Sequence, residues 1–347
     1  MKAKKTKVRR KTLKSKARRK SVSRTWRGLT STVTSTVASM MTPKMKKFFK
    51  DPRNVFGTAS AALVAMVFAF HFGTSKGVSI QAPAFTGKMP AEFAKTMGMN
   101  MGDRVAHWTR ALANTDGMRA KIMKYGTAPK IGDTAALVPS KFDCTTFVET
   151  VVALSRSKNP NEFYPNLLAV RYKNSEPTFL TRNHFPEADW LPNNMNAGIL
   201  RDITAQVGRA AGVSYQTEGK EVHKAAWLNA QVKQGKVSRS IASSTDKSWS
   251  QTTYAEVRYI PVADVDKVLN SIPNGTVINM VRKNNPKWPV IITHQGFVVR
   301  VDGKVYLRHA LEGGAMKVVP LSDYIHSLAK QRGTWPLIGI NLNEVQG

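Results

Sequence analysis

The chain has 347 residues, of which 42% are apolar, so it can form one large domain or two medium ones with a packed core. Its one cysteine excludes an intramolecular disulfide and any metal site that needs several cysteines. The net charge of +31 predicts a polyanionic partner, such as nucleic acid, anionic lipid or an acidic wall polymer.

The positive charge is concentrated at the N-terminus. Residues 1–53 hold 19 Lys and Arg against one acid, Asp51, or about +18, while the rest of the chain carries 34 basic and 21 acidic residues, or +13. This segment has little apolar periodicity at its start and repels itself, so it is predicted to be a disordered basic arm on the cytoplasmic side. Two roles stay open: an arm that contacts nucleic acid or anionic lipid, or a solvated tail that sets membrane topology.

An uncharged apolar segment follows the arm. Val55–Gly73 spans 19 residues, about the length that crosses a ~30 Å hydrocarbon core at ~1.5 Å per residue. Residues 54–74 are therefore predicted to be a transmembrane signal anchor. Basic residues stand before the segment and only Lys76 follows closely, so the N-terminus is expected in the cytoplasm and the bulk of the chain outside. A cleaved signal peptide is the alternative, because Ala82-x-Ala84 fits a cleavage pattern.

The remainder is predicted to be one tethered domain. Residues 75–95 form the expected linker and residues 96–347 the domain. Helical periodicity begins near Met89 and returns through residues 103–123, whereas Tyr125–Asp143 has the Gly, Pro and Asp content of a loop.

The single cysteine, Cys144, lies where this loop is predicted to become a helix. Apolar residues then recur on one helical face, at Phe147, Val148, Val151, Val152 and Leu154. Asp143 is a suitable N-cap, and the charge of Glu149 suits the helix dipole. A sulfur in the first turn is expected to have a lowered pKa and to react as a thiolate. The alternative is an inert cysteine packed as a small hydrophobe.

Two histidines are candidates for the base that a nucleophilic cysteine needs. Pro289–Leu321 predicts successive strands with a tight turn at "VDGK", so His294 opens one strand and His309 ends the next. Such a hairpin brings the imidazoles together, and one ring would take the thiol proton while the other orients it. Alternatively, each histidine is an ordinary polar residue at a strand end.

Several ordered blocks carry a resemblance to a known family. They are "FDCTTFVET" at 142–150, "RYKN" at 171–174, "TRNHFPEADWLPNN" at 181–194, "DIT" at 202–204, "YIP" at 259–261, "IPNGTVINMVR" at 272–282, and the pair "THQGFVV" and "YLRHA". Together they resemble the bacterial N-acetylmuramoyl-L-alanine amidase-like family of NlpC-type, papain-like cysteine hydrolases. The resemblance covers most of residues 100–347.

The resemblance implies an α+β, papain-like fold with the cysteine at the start of a central helix packed on an antiparallel sheet. It implies Cys144 as nucleophile, His294 as base and His309 as the orienting residue. The expected reaction is amide hydrolysis in peptidoglycan or muropeptides, with the bond between the muramoyl lactyl group and L-alanine favoured. One departure is His309-Ala310-Leu311, where the family usually has His-Ala-Ser, and it bears on local substrate contacts.

The middle block contains five candidate substrate-binding residues in a Pro- and Asn-rich segment, which are Arg182, His184, Asp189, Trp190 and Asn194. Loops on a rigid scaffold often carry binding residues. Trp190 would stack on a sugar ring, and Arg182 would pair with a peptide carboxylate. The alternative is an Arg–Asp pair and a half-buried Trp that hold a long loop in place.

No motif for zinc or a nucleotide occurs in the sequence, so no cofactor is expected. With the signal anchor, the resemblance predicts a single-pass protein of the bacterial inner membrane whose catalytic domain is periplasmic or extracellular. One alternative is a stem-peptide endopeptidase with the same triad. Another is a non-enzymatic, membrane-anchored protein whose arm, residues 1–53, binds nucleic acid or anionic lipid. The presence of all three triad residues argues against a wall-binding pseudoenzyme.

Overall fold

The computed structural model describes residues 89–114, 142–311, 316–331 and 335–347. The predicted basic arm, signal anchor and cleavage pattern lie outside the described residues, as does most of the predicted loop before Cys144. Within the described ranges, no helix is long and apolar enough to cross a membrane. All of these residues belong to one compact unit, residues 81–347.

An antiparallel sheet forms the centre of the described unit. Its strands are β1 Leu200–Asp202, β2 Gln216–Val222, β3 Thr253–Pro261, β4 Thr276–Arg282, β5 Ile292–Val301, β6 Lys304–Ala310, β7 Met316–Pro320 and β8 Leu337–Val345. Their spatial order is β2-β3-β8-β4-β5-β6-β7, and β1 also pairs with β8. The central strand β4 is buried over nearly its whole length, which indicates that elements cover both faces of the sheet.

Helices surround this sheet. They are α1 Met89–Lys95, α2 Met101–Asn114, α3 Cys144–Arg156, α4 Phe163–Arg171, α5 Leu191–Asn196, α6 Thr204–Ala210, α7 Lys224–Lys233, α8 Arg239–Ser243, α9 Lys247–Ser250, α10 Val265–Val268 and α11 Leu321–Lys330. Phe93 of α1 is buried, and its ring centroid lies 4.7 Å from that of Trp108 in α2. Residues 89–95 of the predicted linker therefore form a helix that packs on the folded unit.

The two faces of the sheet carry separate apolar cores. One core joins α2, α3 and α4 to alternate sheet residues such as Phe297 and Val299. The other joins α6, α10 and α11 to the intervening residues, among them Val298 and Leu307. Since side chains alternate along a strand, this division follows from the period of two in β5 and β6. The prediction of an α+β fold with an antiparallel sheet is confirmed.

Helix α3 begins as the sequence predicts. The Asp143 carboxylate accepts the backbone N–H of Thr146 at 2.7 Å, and the Thr146 hydroxyl accepts the backbone N–H of Asp143 at 3.0 Å, which is a capping box. The predicted apolar face is buried. Glu149 corrects one expectation: it is fully buried and accepts the Arg171 Nε–H at 2.7 Å, so it forms an internal ion pair.

The predicted hairpin of β5 and β6 is also confirmed. Its turn residues Asp302 and Gly303 have positive φ values of 50° and 75°, as a two-residue turn of this kind requires. Residue pairing between the strands ends at Phe297 and Arg308, short of the two histidines. On the other side of β5, Thr293 is an extra residue between the pairs Met280–His294 and Val281–Ile292, so the register of β5 shifts at this bulge.

Candidate active site

The two predicted histidines form a hydrogen-bonded pair. His294 Nε2 lies 2.7 Å from His309 Nδ1, and the rings meet edge to face at a centroid distance of 4.9 Å. Gly296 permits this approach, because a Cβ there would lie 2.9 Å from the Arg308 carbonyl oxygen and 3.1 Å from His309 Cβ. The expectation that the hairpin brings the imidazoles together is therefore confirmed.

The Cys144 sulfur lies near Gln295, the residue that follows His294 in β5. The Gln295 backbone N–H is directed at the sulfur, and the Thr145 hydroxyl donates to Gln295 Oε1 at 2.9 Å. Gln295 Nε2 in turn donates to Asn279 Oδ1 of β4 at 2.7 Å. This buried polar chain holds the first turn of α3 against β5, and the sulfur lies beside the strand that carries His294.

The thiol differs from the sequence-based expectation in its acidity. Burial raises the pKa of Cys144, and the nearby Asp143 carboxylate acts in the same direction. The Gln295 and Thr145 backbone N–H groups lower that pKa but have the smaller effect. The expected low pKa was wrong for the free protein, because desolvation of the thiolate outweighs the donors at the helix start. Cys144 is therefore a neutral thiol near pH 7.

Both imidazoles are neutral near pH 7 as well. Burial lowers the pKa of His294 to about 4, and the neighbouring His309 contributes to the shift. Burial also lowers the pKa of His309 to about 4, assisted by Lys317 on the adjoining strand β7. The Cys144 thiol and the histidine pair are thus all neutral, and at least one ring nitrogen can accept a proton.

Tyr324 of α11 is a site residue that the sequence reasoning missed. Its ring centroid lies 4.9 Å from that of His309 and 6.1 Å from that of His294, so it covers both imidazoles. Burial raises the pKa of Tyr324, and the Cys144 charge adds to the increase. No local motif marks this tyrosine, since only the packing of α11 against β6 and β7 brings it to the site.

Glu187 is a second residue that the sequence reasoning missed, although it lies within the family block at 181–194. It is 2% exposed and accepts the backbone N–H of Ile291 at 2.9 Å, immediately before β5 begins. Burial raises its pKa to about 7. This carboxyl group therefore holds the start of the strand on which His294 lies.

The middle block is structured differently from the predicted loop, because Pro186–Trp190 forms a helical turn that continues into α5. Trp190 and Asn194 are each 1% exposed. The Asn194 side-chain amide donates to the Trp190 carbonyl at 2.8 Å and to the Val170 carbonyl at 3.0 Å. Their expected contact with substrate is corrected: both are internal residues, and the Trp190 ring has no open face for a sugar.

Arg182 and Asp189 line a cleft of about 480 Å³, together with other polar residues. Arg182 Nη2 donates to Glu149 at 3.2 Å, and Asp189 pairs with Lys224, so the alternative Arg–Asp pair does not form. His184 is held by packing: its Nε2 lies 2.7 Å from the Phe179 carbonyl oxygen, and burial lowers its pKa to about 4. Arg182 and Asp189 therefore stay candidates for substrate contact, whereas His184, which is partly buried, has its Nε2 bonded to the Phe179 carbonyl.

Known structures share this fold. A Legionella pneumophila protein of the DUF1460 family matches 78% of this chain and 97% of its own, with 22% identity and a TM-score of 0.62. An N-acetylmuramoyl-L-alanine amidase from Bacteroides uniformis matches 71% of this chain and 99% of its own, with 22% identity and a TM-score of 0.51. No match is found among proteins of curated function.

The sequence itself matches a family model described as N-acetylmuramoyl-L-alanine amidase-like (AmiA-like) over residues 124–334, more than half of the chain. The matched range includes Cys144, His294 and His309, and it confirms the family resemblance of the sequence blocks. The chain belongs to the N-acetylmuramoyl-L-alanine amidase-like family.

Proposed function

We propose that this protein is a cysteine-dependent hydrolase of papain-like type that cleaves peptidoglycan between the muramoyl lactyl group and L-alanine. The observation that carries the proposal is the 2.7 Å bond between His294 and His309, together with a cysteine at the start of a helix whose first turn is bonded to β5. A nucleophile, a base and a residue that orients the base are the components of this type of catalysis. Family membership supports an amide bond of peptidoglycan as the target.

The proposed role of His294 as base requires one particular tautomer of the histidine pair. For His294 to act as the base, its Nε2–H donates to His309 Nδ1, and its own Nδ1 is free to accept the thiol proton. The sulfur then attacks the lactyl carbonyl carbon, and the carbonyl oxygen becomes an oxyanion near the backbone N–H groups at the start of α3. The imidazolium protonates the departing L-alanine nitrogen, which leaves a thioester on Cys144.

Water completes the reaction by the reverse sequence. His294 removes a proton from the water as its oxygen attacks the thioester carbonyl, and the same proton returns to the leaving sulfur. The products are a lactyl carboxylate and a free peptide that begins with L-alanine. His309 stabilises the imidazolium form of His294 that exists between the proton transfers, because a hydrogen bond from an imidazolium is stronger than one from a neutral ring.

Because Cys144 is a weak acid in the free protein, the reaction needs a base that removes its proton. The free protein holds a neutral thiol, so deprotonation accompanies attack and depends on His294. Hydrolysis within the stem peptide would use the same steps with different substrate contacts. The family description favours the lactyl–alanine bond over that alternative.

We propose further that residues 54–74 anchor the protein in the bacterial inner membrane and that residues 81–347 act outside the cytoplasm. The uncharged segment Val55–Gly73, the basic residues before it and the location of peptidoglycan support this placement. In this arrangement, the basic arm of residues 1–53 adjoins the anionic inner leaflet.

The decisive experiment is mass spectrometry of a defined muramoyl tripeptide incubated with the full-length protein. Amidase activity yields the free sugar acid and a peptide with L-alanine at its N-terminus. A shortened peptide still attached to the sugar would instead identify a stem-peptide endopeptidase. An unchanged substrate, with the Cys144→Ala variant as the matched control, would contradict the proposed function.

A further inference from the structure

Two tryptophans form an exposed stack close to the candidate active site. Trp288 lies in the loop between β4 and β5, and Trp335 lies just before β8. Their ring centroids are 4.8 Å apart and the ring planes differ by 6°. Trp288 is 47% exposed, although an indole ring normally contributes to stability through its burial. The pair therefore presents a flat aromatic surface to solvent.

Arg282 connects this stack to the catalytic strand. Its guanidinium lies 5.7 Å from the Trp335 ring centroid, and its Nη1 donates to the Trp335 carbonyl. Its Nε donates to Thr293 Oγ1 at 3.1 Å, and Thr293 immediately precedes His294. The Arg282 side chain thus extends from the aromatic surface to Thr293, the residue before the proposed base His294.

The register of the sheet gives the distance between Arg282 and the position of His294. Met280 of β4 pairs with His294, and Arg282 is two residues farther along β4, a distance of about 7 Å along a strand. Burial raises the pKa of Tyr324, whereas the Arg282 charge lowers it by a smaller amount, so Arg282 lies within electrostatic range of the ring that covers both histidines. Arg282 and Thr293 therefore connect the stack to the strand that carries His294.

The chemistry of a flat indole suits a sugar ring. The axial C–H groups of a pyranose form an apolar face with a slight positive charge, which packs against the electron-rich face of an aromatic ring. Neighbouring guanidinium N–H groups can bind sugar hydroxyl or acetamido oxygens. In the proposed reaction the muramoyl ring is joined to the scissile carbonyl only through the lactyl ether, so the sugar must lie next to Cys144 and His294.

We propose that Trp288, supported by Trp335, is the stacking surface for an N-acetylated amino sugar of the glycan strand. This inference rests on the proposed function and names the part of the substrate that the surface recognises. It replaces the sugar contact expected of Trp190, which is internal.

A kinetic comparison of two substrates tests the inference. One is a muramoyl tripeptide, and the other is the matched lactoyl tripeptide without the sugar. Trp288→Ala should raise KM for the sugar-bearing substrate about fivefold to tenfold, with kcat little changed, and should leave the sugar-free substrate unaffected. Trp288→Phe keeps an aromatic face and should retain most of the affinity. Tyr254→Ala, at a 66% exposed aromatic residue of β3, is the control.

A binding measurement separates this inference from the proposed function. The peptide-free disaccharide of N-acetylglucosamine and N-acetylmuramic acid is titrated into the full-length Cys144→Ala protein, and tryptophan fluorescence is recorded. Saturable quenching that Trp288→Ala abolishes would support the stacking surface, even if no amidase activity were found. Amidase activity without a sugar-dependent effect of Trp288→Ala would overturn the inference alone.

Two other outcomes would also overturn it. An equal rise of KM for both substrates would show that the stack only positions Arg282 and Thr293. Loss of adsorption to anionic phospholipid vesicles in Trp288→Ala, with unchanged disaccharide binding, would identify the stack as a membrane contact.

Discussion

The Thr145 hydroxyl donates a 2.9 Å hydrogen bond to Gln295 Oε1, so the residue after Cys144 is joined to the residue after His294. The backbone N–H of the same Gln295 is directed at the Cys144 sulfur. Sulfur and imidazole are thus positioned through their immediate neighbours in the chain. The distance between the proposed nucleophile and base depends on this contact between α3 and β5.

Replacement of Thr145 tests that coupling. Thr145→Val keeps the shape of the side chain but leaves Gln295 Oε1 without its donor, which should destabilise the fold by about 1–2 kcal/mol. We expect kcat to fall roughly tenfold, because the sulfur is less well positioned. Thr145→Ser restores the hydroxyl and should recover most of the activity. Wild-type kcat in Thr145→Val, measured on a muramoyl tripeptide, would show that the bond has no positioning role.

Replacement of Cys144 by Ala or Ser should abolish hydrolysis and leave the fold intact, as monitored by circular dichroism. The raised pKa of the thiol adds a second test. Iodoacetamide should modify Cys144 more slowly than a free thiol near pH 7, and the rate should still be rising above pH 9. A rate that reaches its plateau below pH 7 would instead demonstrate a stable thiolate.

The two histidines should respond unequally to substitution. His294→Ala removes the group that carries the proton and should eliminate nearly all turnover. His309→Asn or His309→Gln can still offer an acceptor to His294 and should retain measurable activity, whereas His309→Ala should retain less. Initial rates on one muropeptide provide the comparison. A milder loss in His294→Ala than in His309→Ala would reverse the assigned roles.

The pH dependence of kcat/KM should reflect the buried histidine pair. The lowered pKa of His294, about 4, keeps the base unprotonated well below the usual histidine range. The acid limb of the profile should therefore lie near pH 4 to 5, although an unperturbed histidine would place it near 6.5. Between about pH 6.5 and 4 the unfolded chain binds more protons, so the contribution of both histidines to stability decreases as the pH falls.

Glu187 should act on stability with the opposite sign. Its folded-state pKa of about 7 exceeds the usual value of 4.5, so the native protein binds more protons between these limits. Its effect on stability therefore becomes less favourable as the pH rises from 4.5 to 7. Glu187→Gln should flatten this part of a melting-temperature profile and leave the histidine-dependent loss at lower pH. An unaltered melting-temperature profile would show that a group other than Glu187 causes this part of the pH dependence.

Topology is tested in cells. A reporter fused after residue 90 should be active only outside the cytoplasm, because Val55–Gly73 is uncharged and follows a strongly basic segment. The matched control is the same fusion without residues 54–74. Activity of a reporter that functions only in the cytosol would contradict both export and access to peptidoglycan.

Short-range patterns in the sequence were sufficient to predict several local features of the fold. The cap of α3, its buried apolar face and the two-residue turn of the β5–β6 hairpin follow from short-range rules on capping, periodicity and turn residues. The same hairpin brings His294 and His309 to one end of β5 and β6, although regular pairing ends at Phe297 and Arg308 and their close approach needs the missing side chain of Gly296. The family blocks added the expected roles of the two histidines, His294 as base and His309 as the orienting residue.

Burial and long-range contact were decided by the tertiary structure. The acidity of Cys144 was misjudged because the helix start is visible in the sequence, whereas the desolvation that raises the pKa comes from packing against β5. Trp190 and Trp288 are both tryptophans in polar surroundings along the chain, yet one is 1% exposed and the other 47%. Tyr324 and Glu187 reach the site from distant segments, and no local pattern records such an approach. The sequence alone thus determined the local elements and the candidate chemistry. The fold determined which groups water and substrate can reach, because desolvation depends on neighbours that are remote along the chain.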